Sequence, residues 1–283
     1  SAPWGKHTGK SPAMPSNTKP RKETNPMNTF LSEWTKLVST KAIYWTTGLF
    51  LFFGVGFAAV YGLDVPADPM VKLWTGMDIR IIKATSVVAA VAALSFFVTI
   101  VQATMVVTSE YRHNYQSVSF MATPNRLKVV MAKWFLYSIF IAILTFVTVL
   151  ASLYMTKRVS GELSSTLPVW SDEGAIHVLW GYPVAAVLLV TFTQGVSWLL
   201  RQTAGAISIM GLWFFALENL LGLLPKVGKY IVKYGPINNF NAFLTKTSID
   251  DIQWDYNGSI AYFGAWAVVI FIAGAIVVRQ RDA

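Results

Sequence analysis

The residues able to do chemistry are few and scattered. The three histidines, His7, His113 and His177, fall in three different regions, and none sits in a His-x-x-Glu-His or His-Glu-x-x-His frame. Such a frame would bring a metal and a general base onto one helix face. Gly-x-Ser-x-Gly, which presents a serine nucleophile on a strand-to-helix turn, is absent from the sequence. The chain has no cysteine, which excludes disulfides, thiol nucleophiles and thiolate-bound metal. Asp250, Asp251 and Asp255 offer the oxygen ligands a hard cation takes. An acidic cluster beside a lysine reads more simply as a solvated loop, and no metal site is expected. The stretch WGKHTGKS imitates a phosphate-binding loop, but Trp4 stands where its first glycine belongs. No strand precedes it, and Ser-Pro-Ala-Met-Pro cannot open a helix after it. No enzyme constellation emerges, so the chain is expected not to be an enzyme and to hold no cofactor of its own.

Two polar features remain, and both are placed by apolar surroundings. Hydrophobic residues make up 54% of the 283 and charged residues only 13%, with a mean hydropathy of +0.49. Soluble domains carry about 25% charge, so this is an integral membrane protein. Six apolar runs are long enough to cross the hydrocarbon: Thr46–Leu63, Ile81–Thr108, Val129–Tyr154, Val178–Leu200, Gly205–Leu224 and Ser259–Val278. The second and third have length to spare, enough to project or tilt. The first polar feature is Thr108–Lys128, between the second and third runs, with Glu110, Arg112, His113, Arg126 and Lys128. The second is Glu218, an acid inside the fifth run.

Six spans put both termini on one side. Fourteen of the 23 basic residues and four of the 14 acids fall on that side, as an anionic inner leaflet favours. Close to the spans the two sides tie. Lys36 and Lys41 precede the first span, whereas the first basic residue after it is Lys72, which predicts cytoplasmic termini. The net charge of +9 therefore belongs to topology. No basic stripe with interleaved aromatics lies on a soluble domain, so no nucleic-acid partner is expected.

Residues 1–27 are polar, proline-rich and basic, and are expected to form a disordered cytoplasmic tail ahead of a six-span domain over 28–283. From Thr29 to Trp45, Phe30, Leu31, Trp34, Leu37, Val38, Ala42 and Trp45 share one helical face, opposite Ser32, Glu33, Lys36, Ser39 and Thr40. That pattern predicts an amphipathic helix lying in the bilayer interface. Residues 201–204 make a minimal link, and the polar stretch after the third run is expected to be irregular. After the fifth run, Val227, Tyr230, Ile231 and Tyr234 alternate with Lys226, Lys229 and Lys233 as on a short surface helix.

The polar segment carries a resemblance. SEWTKL (Ser32–Leu37), SEYRHNYQSVSFMATPNR (109–126), LENLLGLLP in the fifth run and a closing Arg-x-Arg-Asp together resemble the permease subunits of type-2 ABC exporters, in particular the single-domain actinobacterial kind. The likeness covers residues 29–282. The closing sequence departs slightly, since Gln280 separates Arg279 from Arg281.

The resemblance implies an all-α membrane protein with the type-2 ABC exporter permease fold, in a bacterial cell membrane. It implies two permease halves, identical or paralogous, above two ATPase subunits that hold ATP and magnesium. Segment 109–127 would be the coupling helix, with Glu110, Tyr111, Arg112, Ser117, Pro124 and Arg126 toward the ATPase, braced by Trp34 and Lys36. Segment 225–258 would be the outer gate, built of partly re-entrant helices. Glu218 and Asn219 are then expected at the pathway near that gate, or pinning the loop that closes it. Asn219, the partner subunit's Lys226 or a helix end could pair the acid. The implied function is export of a hydrophobic or amphipathic substrate such as a drug, lipid or peptide. The alternative is a non-transporting accessory or assembly subunit. A secondary transporter fits less well, because no broken helix pair repeats between the halves.

Overall fold

A long apolar run crosses hydrocarbon only as a helix, which satisfies every backbone polar group within itself. A computed structural model describes residues 31, 34–35, 38–112 and 126–281, and among them there are helices, turns and links but no strand. Six helices are long and apolar enough to span a membrane: Lys41–Leu63, Val91–Thr108, Val129–Val159, Glu173–Leu200, Thr203–Gly222 and Tyr256–Gln280, called spans one to six. The end at Lys41 and Gln280 is called the inner end, and the opposite end the outer.

Several boundaries differ from the sequence expectation. Leu31, Trp34, Thr35, Val38 and Ser39 are helical, but Thr40 is extended and breaks the chain before span one. Trp45 therefore belongs to span one, where it is exposed, and Lys36 lies outside the described residues. Span two does not begin at Ile81. Residues 77–83 form a non-helical link after a short helix, α1 (Pro69–Thr75), and Ile82 N–H donates to Thr166 Oγ1 at 3.3 Å. Ion pairs Arg80–Asp64 at 3.0 Å and Lys83–Asp68 at 2.6 Å fold this link over the outer end. Span four starts earlier than Val178, because Asp172 Oδ2 accepts from Ala175 N–H at 2.7 Å and caps the first turn. The stretch before it contains a 3₁₀ helix, Gly161–Thr166, where an irregular loop was expected.

Span four is the axis of the bundle. Two thirds of its most apolar window is buried (67%), against 22% for span one and 28% for spans five and six. It packs on spans three and six most extensively. Against span six the backbones touch: a Cβ at Gly195 would lie 2.7 Å from the Ile270 carbonyl carbon, and one at Gly274 2.7 Å from Gly195 O. Spans one and three join by a second close seam. Gly54, Ala58 and Gly62, four residues apart, face Thr148, Ser152 and Thr156, and Thr156 Oγ1 donates to Ala58 O at 2.9 Å. Small residues at this spacing let helices approach where no hydrophobic effect drives them together.

Three spans contain a widened, π-helical turn: Phe52–Gly56, Val91–Ser95 and Trp213–Leu217. The first two pack together, and Ser95 Oγ donates to Phe50 O at 2.8 Å. The third leads into Glu218.

The seam between spans four and six predicts an ordering of glycine variants. Gly195→Ala drives a methyl into backbone and should cost about 1–3 kcal/mol. Gly48→Ala, with nothing within 4 Å, should be neutral or stabilise by up to about 1 kcal/mol. Thermal unfolding of the purified chain in one detergent checks this, and equal melting temperatures would refute the close seam.

Candidate functional site

Between spans five and six the chain turns back into the bundle. Helix α2 (Gly228–Tyr234) runs from the outer end to an elbow at Gly235, and α3 (Pro236–Thr245) returns. The short helix expected from the lysine and tyrosine spacing is α2, but it leads inward to the elbow where a helix lying flat on the surface was expected, and α3 is a second helix behind it. Pro236, Ile237, Asn239, Phe240, Ala242, Phe243 and Leu244 are all buried. Phe240 packs with its ring centroid 4.7 Å from Phe263, 5.8 Å from Phe96 and 6.3 Å from Phe214. Phe214 is one turn before Glu218 toward the inner end, so the elbow reaches the depth of that acid.

An elbow among apolar side chains frees the polar groups of two helix ends, and each needs a partner. The α3 N-terminus is resolved group by group. Pro236 has no N–H. Ile237 N–H donates to Glu218 Oε1 at 2.9 Å, and Asn238 N–H to Glu218 Oε2 at 2.7 Å. Asn239 N–H reaches Gly235 O at 3.1 Å and starts the helical ladder. The α2 C-terminus is resolved as fully. Gly235 N–H donates to Ile231 O at 2.7 Å, Asn238 Nδ2 to Val232 O at 3.3 Å, Asn239 Nδ2 to Lys233 O at 3.1 Å and Tyr262 Oη to Tyr234 O at 2.9 Å. Only glycine fits at 235, because a Cβ there would collide with Glu218 Oε2 and lie 2.6 Å from Ile231 O.

Glu218 is 4% exposed and also accepts from Trp213 Nε1 at 2.7 Å. The widened turn Trp213–Leu217 puts residues five apart on one line, which brings the indole over the carboxylate. The carboxylate sits at the positive end of the α3 dipole, where negative charge is favoured. Asn219 is exposed and makes none of these bonds. The acid's partners are Trp213 and a helix end of its own chain, with no need of the partner subunit's Lys226.

The far end of α3 is held too. Lys246 is left-handed (φ 56°), its N–H reaches Phe243 O at 3.2 Å, and Thr247 N–H reaches Ala242 O at 2.9 Å. This is a Schellman ending. His177 of span four adds Nε2 at 2.8 Å from Phe243 O. A carbonyl can only accept, so Nε2 carries the proton. The rings of Phe243, Tyr256 and Trp180 surround the imidazole at 4.9, 5.5 and 5.7 Å. Lys246 pairs with Glu173, whose carboxylate raises the lysine above its ordinary pKa range. Sequence reasoning missed His177, Trp213 and the two elbow asparagines. The Gly-Pro-x-Asn-Asn run at 235–239 was the available signal.

The polar segment at the inner end is less fully described. Glu110, Tyr111 and Arg112 continue the helix of span two, and Arg126 opens that of span three, but their side chains lie outside the described set. Ser117 and Pro124 also lie outside the described residues. At the base of this helix Thr108 Oγ1 and Thr203 Oγ1 share a hydrogen bond of 2.7 Å. Span five thus touches the root of the polar segment at one end and the α3 cap at the other. Among the described residues no three His, Asp or Glu group as metal ligands. Trp34, on the leading helix, is about half exposed at 46%.

Two predictions follow from the caps. Glu218→Leu strands three N–H groups, those of Ile237, Asn238 and the Trp213 indole, at up to about 1–3 kcal/mol each, while Glu218→Gln keeps one acceptor. Amide exchange at Ile237 and Asn238 should therefore quicken in the order wild type, Gln, Leu, and unchanged protection in the Leu variant would refute the cap. For Lys246, a raised folded pKa gives a contribution complete below the unfolded value of about 10 and lost as pH rises through the folded one. Lys246→Met should lower the melting temperature equally at pH 6 and pH 9, and a penalty confined to one of them would refute the pairing.

No family model matches this sequence and no curated protein matches it.

Proposed function

We propose that the chain is the permease half of a type-2 ABC exporter, moving a hydrophobic or amphipathic substrate outward with energy from a separate ATPase. The observation that carries this reading is the elbow. A helix pair that enters the bundle without crossing it, with every freed backbone group paired, closes the outer end around Glu218. Closure that depends on one carboxylate and two N–H groups is strong enough to hold and small enough to release. The aromatic packing of Phe96, Phe214, Phe240 and Phe263 behind it offers an apolar lining suited to an apolar cargo.

The inner end supplies the drive in this reading. Nucleotide-driven closure of the ATPase pushes on segment 109–127 through Glu110, Tyr111, Arg112, Ser117, Pro124 and Arg126, with Trp34 and Lys36 bracing it. The push reaches the root of span two, and the Thr108–Thr203 bond hands it to span five. Span five carries Glu218 about 22 Å away, at 1.5 Å per residue, and its displacement draws the carboxylate off the α3 N-terminus. ATP and magnesium stay on the partner, and a second permease half, identical or paralogous, completes the pathway.

The full chain should copurify with an ATPase subunit and, alone, hydrolyse no ATP above background. Ser117→Cys should crosslink to that subunit. Arg112→Ala and Glu110→Ala should insert normally yet cut transport about tenfold or more, since each strands a charge across an interface. Hydrolysis by the isolated chain, or normal transport in both variants with no crosslink in any nucleotide state, would overturn the reading. A stable complex without transport of any cargo would favour the accessory-subunit alternative.

A further inference from the structure

We propose that α2 binds the phosphate of an anionic membrane lipid through Lys226, Lys229 and Lys233. This goes beyond the transport reading and does not depend on it. Among the described residues, four of the other six basic residues at the outer end are matched by an acid, Lys157 and Arg158 at the end of span three being the exceptions. Lys72 pairs with Asp78 at 2.8 Å, Arg80 with Asp64 at 3.0 Å and Lys83 with Asp68 at 2.6 Å, and Lys246 pairs with Glu173. Among the described residues Lys226, Lys229 and Lys233 have no such acid. Asp255, the nearest acid in sequence to span six, is already engaged by Gly258 N–H at 2.9 Å and Asn257 Nδ2 at 3.2 Å.

Two of the three lysines share one side of a short helix. Lys229 and Lys233 are four apart on α2, and Lys226 lies in the turn that leads into it, on a left-handed residue (φ 68°). Like charges at this spacing repel and destabilise a helix, so an anion between them relieves a real cost. Their heads are steered by aromatic faces: the Lys229 ammonium lies 5.1 Å from the Tyr230 ring centroid, and that of Lys233 5.6 Å from Tyr234.

What lies beside the lysines selects a lipid over a free anion. Leu220, Leu223, Leu224, Val227 and Val232 are exposed, Leu223 at 80%. They continue the apolar surface of span five directly up to the lysine cluster. A ligand with a phosphate head and acyl chains covers both at once, and inorganic phosphate covers only the first. Lys226, Lys229 and Tyr230, at the outer start of α2, match the headgroup level of a bilayer, and the long Lys233 side chain nearer the elbow can reach up to it.

The test uses the full chain in detergent micelles, titrated with phosphatidylglycerol or phosphatidylcholine carrying brominated chains, with tryptophan quenching as readout. Wild type should prefer phosphatidylglycerol, and the triple Lys226→Gln, Lys229→Gln, Lys233→Gln variant should lose roughly fivefold of that preference per lysine. The triple arginine variant should retain it. Matching melting temperatures in phosphatidylcholine establish that the glutamine variant is folded, and single glutamine variants carry the test if it is not. Millimolar inorganic phosphate should leave lipid binding unchanged. Equal quenching by both lipids in wild type, an unchanged preference without the lysines, or full displacement by phosphate would each overturn the proposal.

Discussion

A backbone amide in an apolar bundle has no water to turn to, and the outer half of this protein is arranged around that fact. A helix that spans the bilayer leaves its unpaired ends in the headgroups. A helix pair that turns back inside the bundle leaves two ends there, where each unpaired group costs several kcal/mol. The elbow at Gly235 exists because four side chains meet that demand: Glu218, Asn238, Asn239 and Tyr262. Proline at 236 reduces the demand by one group. Glu218 and the α3 N-terminus are each costly to bury alone, and each supplies the other's hydrogen-bond partners.

The rest of the bundle sets the depth at which this happens. Span four, in backbone contact with span six at Gly195 and Gly274, is a rigid reference. It holds the far end of α3 through His177 and Lys246's partner Glu173. Span five, less buried than span four and following it after the two-residue link Arg201–Gln202, holds the near end. The re-entrant helix is therefore strung between a well-packed element and a loosely packed one. Any relative movement of the two is felt at its caps.

The sequence made some of this legible. Six apolar runs gave six spans, and an acid in the fifth announced that a partner must exist. The partner itself was hidden, because Asn238, Asn239 and Asn241 interrupt the apolar spacing of Ile237, Phe240, Phe243 and Leu244 that marks α3. The start of span four was readable from Asp172 followed by Glu173, a helix-opening signal, but hydropathy placed it at Val178. Ile81 and Ile82 looked like span and lie in a non-helical link, because ion pairs at Asp64 and Asp68 and the Thr166 hydroxyl fix that link from outside. Those contacts join residues far apart in the chain, which no local pattern reveals. The roles assigned to Glu110, Arg112 and Ser117 came from resemblance and not from any geometry around them.

The widened turn at Trp213–Leu217 makes the grip on α3 a matter of counting. In an ordinary α-helix, residues five apart point about 140° away from each other, so an indole at 213 and a carboxylate at 218 could not meet. The extra residue in that turn is what aligns them. Expelling it would swing everything beyond by about a third of a revolution without breaking the helix. Span five thus carries, one turn below its only buried acid among the described residues, a place where rotation can be stored and released, and a single-residue insertion or deletion there would re-aim the outer end while leaving the inner end in register.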